Sequence, residues 1–147
     1  MSYTPEVPSR NESLWIATSA AAQGPWGVAF AGGAVVGGAQ LAFELLSGHL
    51  TVAGPLAHGL TVFFLIGSIG ALLIKGRDRA RAWAHRHPWR FAVVPAIGAG
   101  ATVLPVQLLL STSGIFGATA EALWTALTVL VTVGLVGMVV GAVRRNP

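Results

Sequence analysis

The chain has no cysteine. That absence removes a disulfide framework, a thiolate metal site and a cysteine nucleophile together, and leaves the redox compartment open. Charge is nearly as scarce. Charged residues make up 10% of the 147, against about 25% in a soluble domain. A water-facing surface cannot be built from so few charges, so lipid must cover much of the exterior. No lysine or arginine falls between residues 11 and 74, or between 91 and 143. The chain also lacks a glycine-rich phosphate loop followed by Lys-Ser/Thr, a His-Glu-x-x-His pair and a Ser-His-Asp spacing. Nothing argues for catalysis, and the chain reads as a non-enzyme.

What remains is apolar: 54% of residues are hydrophobic and 19 are glycine. The nine basic residues sit in three short places: Arg10; the connection holding Lys75, Arg77, Arg79, Arg81, Arg86 and Arg90; and the C-terminal Arg144 and Arg145. The formal net charge of +4 does not point to nucleic acid, because the charge flanks apolar runs, where membrane orientation explains it. The same clusters suit lipid headgroups.

The expected fold is all-α, an integral membrane four-helix bundle made of two hairpins. Residues 1–24 read as a tail and a short interfacial helix, with Glu12 in its first turn. Residues 25–147 read as the four-span domain, with spans at about 26–46, 56–74, 89–110 and 120–143. Each has roughly the twenty residues needed to cross the hydrocarbon core. Helices are the only sensible choice there, because an open strand would leave backbone groups unpaired in lipid. With four spans, all nine basic residues share one side, and the positive-inside rule gives N-in, C-in in the cytoplasmic membrane.

A shift of 63 residues lays the first hairpin on the second. Pro25-Trp26 falls on Pro88-Trp89, Ala29 on Ala92, Gly37 on Gly100, Leu41 on Leu104, and Leu45-Leu46 on Leu108-Leu109. The same shift pairs Gly54 with Gly117, Ala57 with Ala120, Leu60 with Leu123 and Leu72 with Leu135. Two explanations compete: a parallel internal repeat, or the likeness of any two Gly/Ala/Leu-rich hairpins. At this shift Glu44 overlies Gln107 and His58 overlies Glu121, which suggests a polar belt built twice in the outer half.

Glu44 is the one acidic residue expected well inside a span. With Gln40, Gly37 and Gly33 it forms a single helical stripe. It is either an ion- or proton-binding carboxylate in a transport path or a structural partner of Gln107, His49 or His58. No cofactor is expected. A metal site would draw on His49, His58 and Glu44, and haem would need imidazoles facing each other from two spans. His85 and His87, two residues apart among arginines, read as a solvated face. Gly33-x-x-x-Gly37 and the Gly134, Gly137, Gly141 stripe are small-residue packing faces. Pro95 and Pro105 interrupt the third span and are expected to kink it.

Three functional readings follow: a non-catalytic accessory, anchor or assembly subunit partnered by other membrane subunits or by its own copies; a small oligomeric transporter or channel using Glu44; and an outer-side metal-binding membrane protein.

Overall fold

The computed structural model describes residues 10–49, 51–74 and 79–144, with side chains at 10 and 79 left aside. Lys75, Arg77 and Arg145 lie outside the described residues. Among the described residues six helices follow in order: α1 Arg10–Ala22, α2 Trp26–Leu46, α3 Ala53–Leu73, α4 Arg79–Arg86, α5 Pro88–Leu110 and α6 Gly114–Val143. The described residues contain no strand. Helices α2, α3, α5 and α6 are each long and apolar enough to cross a membrane. At 1.5 Å per residue, the 21 residues of α2 reach about 30 Å, the thickness of a hydrocarbon core.

Two element boundaries differ from those the sequence suggests. Helix α3 starts at Ala53, ahead of Gly54-Pro55. Proline in a first helical turn gives up an N–H that has no partner there anyway. Helix α6 starts at Gly114 rather than near 120 and runs for 30 residues. Helix α5 continues through both Pro95 and Pro105.

The α2–α3 connection closes by a Schellman turn. Gly48 takes φ +77°, the left-handed conformation that glycine adopts without steric cost. The His49 N–H donates to the Glu44 carbonyl at 2.9 Å, and the Gly48 N–H to the Leu45 carbonyl at 3.2 Å. These bonds use carbonyls that the end of α2 would otherwise leave open.

The hairpins are held by backbone approach at small residues. A Cβ placed on Gly33 would lie 2.5 Å from the Gly59 carbonyl oxygen, and one on Gly37 2.9 Å from that of Pro55. The same arrangement recurs in the second hairpin, where a Cβ on Gly100 would meet the Ala122 oxygen and Ala126 Cβ, each at 3.2 Å. At the other end, Trp26 covers Gly67 and Pro25 covers Gly70, while Trp89 covers Gly134 and Pro88 covers Gly137. Trp26 is braced by Phe63 and Phe64, with ring centroids 5.0 and 6.1 Å away. Its indole N–H donates to the Ala21 carbonyl at 3.1 Å.

These contacts correct the register of the repeat. The first helices correspond at a shift of 63, but Gly67, Gly70, Pro55 and Gly59 correspond to Gly134, Gly137, Ala122 and Ala126, a shift of 67. Four extra residues therefore sit in the second connection. At the new shift Ala53, Leu56, Leu60, Thr61 and Val62 meet Ala120, Leu123, Leu127, Thr128 and Val129. His58 now meets the buried Thr125, and Glu121 meets Gly54.

The long helices do not close into a ring. Among the four long helices α2 packs on α3 alone, whereas α3 also packs on α5 and α6. The main core lies where α3, α5 and α6 meet the short helices: Ala20 and Ala21 of α1, Ala84 of α4, and Leu72, Phe91, Val129 and Val133. A smaller cluster joins Ala57, Val103 and Ala122 towards the connecting turns.

The close α2–α3 approach gives a stability test. Gly33→Ala gains about 1 kcal/mol of helix propensity, but overpacking against backbone costs about 1–3 kcal/mol, so the detergent-solubilised protein is expected to melt at lower temperature. Gly38→Ala adds a methyl that meets nothing within 4 Å and is expected to be neutral or stabilising. Equal melting shifts for the two variants would contradict the contact.

Candidate functional site

Two polar clusters stand out, one at each end of the molecule. At the turn end, the half-buried Glu44 accepts hydrogen bonds from the Thr51 hydroxyl and, at 3.3 Å, from the Gln40 side-chain amide. A Cβ on Gly54 would lie 3.7 Å from the Glu44 carboxylate, so the carboxylate rests on the first turn of α3. Both oxygens of Glu44 thus tie the end of α2 to the connection and to α3. Thr51 is the residue that sequence reasoning missed. Seven residues from Glu44, it is brought back only by the Schellman turn, which hydropathy does not reveal.

The other expected members of the belt are not gathered there. Gln107 is buried on α5, but α2 and α5 do not touch. His49 and His58 are exposed, with their Nδ1 atoms 3.1 Å from the Ser47 carbonyl and 3.0 Å from the Gly54 carbonyl. Glu121 is exposed on α6. Among the described residues, no three His, Asp or Glu side chains group closely enough to hold a metal ion. His49, His58 and Glu44 therefore do not form the three-ligand set that the sequence allowed.

At the basic end, Arg144 closes the C-terminus of α6 over α4. One guanidinium nitrogen donates to His85 Nε2 at 2.6 Å, and the other to the Leu73 carbonyl at 3.3 Å. His85 is only partly exposed rather than part of a solvated face, and its Nδ1 is buried without a described partner. Burial, and secondarily the Arg144 charge, hold its pKa below the ordinary 6.5. The neutral ring suits the geometry, since Nε2 must accept. Trp83 stacks on His87 beside this latch, with centroids 5.1 Å apart. Arg86 and Arg90 are exposed, and Arg81 is half-buried.

A third feature is an apolar groove of about 440 Å³ along one side of the α2–α3 pair, lined by Phe30, Gly38, Leu41, Val52, Leu56 and Phe63 among others. Its lining offers no charge and suits an acyl chain. The packing glycines Gly33, Gly37, Gly134 and Gly137 lie at the helix contacts described above, and Gly141 is buried near the end of α6. No known protein family, curated protein or solved structure matches the chain.

The Arg144–His85 latch should respond to acid. A folded pKa lowered from 6.5 means that His85 contributes stability fully above pH 6.5, and that this is lost as pH falls from there through the lowered value. Melting temperature between pH 8 and pH 5 is expected to fall less steeply for His85→Gln, which can still accept from Arg144 but does not titrate. Parallel curves for the variant and the wild type would remove His85 as the source.

Proposed function

We propose that this chain is a non-catalytic, multi-pass assembly subunit of a larger membrane complex, with both termini on the cytoplasmic side. The observation that carries the reading is the packing of α2. An apolar helix of 21 residues packs against only one of the other three long helices, and leaves Val28, Phe30, Val35 and Phe43 exposed. Lipid can cover such a face. Yet helix association in a bilayer is driven by close packing rather than by hydrophobicity, and this chain carries close-packing devices on every span.

The arrangement of Glu44 supports assembly over transport. Its carboxylate is engaged by Thr51 and Gln40 within one hairpin, at the end of a helix that packs on α3 and not on α5 or α6. The exposed Arg86 and Arg90, with the half-buried Arg81, lie at the end where α1, α4 and the end of α6 meet. That is where anionic headgroups would be contacted.

The reading is tested by extracting the protein from its native membrane with its lipids and weighing the particle by native mass spectrometry. A mass well above one 15.1 kDa chain plus bound lipid is expected. A population consisting wholly of single chains would overturn the reading.

A further inference from the structure

The internal repeat contains an interface of which only one copy is used. In the first-to-second hairpin contact, α3 lies against α5 and α6. Phe64 of α3 reaches Gly98 of α5, whose added Cβ would meet the Phe64 ring at 2.9 Å. Ser68, Ala71 and Leu72 complete the buried face of α3. On α5 the covered side carries Phe91, Pro95 and Ala99, which share one helical face with Gly98.

The equivalent residues, at shifts of 67 for α3 to α6 and 63 for α2 to α5, form two faces that are largely exposed among the described residues. On α6 they are Val131, Leu135, Met138 and Val139. On α2 they are Val28, Val35 and Val36, while Gly32, the counterpart of Pro95, is half-buried beside Ile66 of α3. Leu72 is 1% exposed, but its counterpart Val139 is 62% exposed. Phe91 and Ala99 are 0% exposed, but their counterparts Val28 and Val36 are 65% and 39% exposed. Helices α2 and α6 do not touch within one chain, so the second copy of the interface is left as two unmatched halves.

We propose that the occupant of the free α2 face is α6 of a second copy of this chain, seated as α3 is seated against α5. This rests on the assembly reading and names its partner. The register is fixed by the repeat: Val131 of one copy should meet Val35 of the next, as Phe64 meets Gly98. The pair supports this, because a large residue on a glycine is replaced by two valines of intermediate size, and volume-conserving exchanges preserve packing. The contact joins two different faces, so it is head-to-tail and builds a ring or a row of copies in the plane of the bilayer. The apolar groove on the opposite side of the α2–α3 pair is left to lipid.

Disulfide mapping tests this directly, because the native chain has no cysteine to give background. Chains carrying Val35→Cys and chains carrying Val131→Cys, each with its own tag, are co-expressed and oxidised in native membranes. Both positions lie on uncovered surfaces, so neither change disturbs a core. A mixed dimer is expected, at least about tenfold above either variant alone, since a disulfide demands Cβ atoms about 4 Å apart. Val35→Cys with Leu123→Cys, a turn-end position on α6, is expected to give none. Val35→Cys linking to itself, or the Leu123→Cys pair reacting equally, would overturn the proposal. So would the absence of any mixed dimer. If the native particle still exceeds one chain in that last case, only the identity of the partner falls; if it is a single chain, the assembly reading falls with it.

Discussion

The contact on which the structure depends is the seating of a Pro-Trp step on two glycines. Pro25 and Trp26 cover Gly70 and Gly67, and Pro88 and Trp89 cover Gly137 and Gly134. In lipid, apolar side chains gain little by leaving one apolar surface for another, so helix pairs are decided by how closely they fit. A proline at a helix start is pre-organised in φ and needs no hydrogen-bond partner there. The tryptophan that follows is then projected onto a neighbour whose missing side chains make room for the indole. Once this end is set, the approach of Gly33 to Gly59, and of Gly100 to Ala122 and Ala126, follows along the hairpin. The polar cluster of Glu44, Gln40 and Thr51 ties the opposite end of the first hairpin.

Two hairpins built alike need not use their faces alike. Helix α3 is enclosed, with α2 on one side and the second hairpin on the other, whereas α2 is left at the edge. Among the described helices none lies on the far side of α2. The outer side of α6, with Leu135 and Val139, is likewise exposed among the described residues. An open chain of repeats is stable when another unit supplies the missing neighbour, as in solenoids whose terminal repeats require a cap. The short helices reinforce one end only: α1 packs on α4 and α5, and Arg144 fastens α6 to α4.

Much of the fold was legible in the sequence because charge is so unevenly spread. The two stretches without lysine or arginine contain α2, α3, α6 and all of α5 beyond its first turn, and the basic connection contains α4. The start of α3 was obscured because Gly54-Pro55 reads equally as a turn and as a first helical turn. The repeat was half legible. Pro25-Trp26 and Pro88-Trp89 announce it, but four extra residues in the second connection slip its later half, and matching at one fixed shift paired His58 with Glu121. The open edge at α2 was not legible at all. In a soluble helix the polar face marks the outside, but here the buried and exposed sides of α2 are both apolar, as Ala29 and Phe30 show. Glu44 was recognisable as the exceptional side chain of its span. Its partner Thr51 depends on how a turn folds back, and Arg144 reaches His85 from 59 positions away in sequence, a distance over which no local pattern carries information.

The central claim is that each Pro-Trp step rests on its own hairpin's glycine, at a shift of 63 for the first helix and 67 for the second. Double-mutant cycles on unfolding free energy measure this most directly. Gly67→Ala is expected to destabilise when Trp26 is present and to cost nothing once Trp26→Ala has removed the ring. Gly134→Ala is expected to behave the same way with Trp89→Ala. Coupling of about 1–3 kcal/mol is predicted for these two pairs, and additivity within about 0.5 kcal/mol for Trp26 with Gly134 and for Trp89 with Gly67. Additive behaviour in the first two cycles, or equal coupling in all four, would contradict the account.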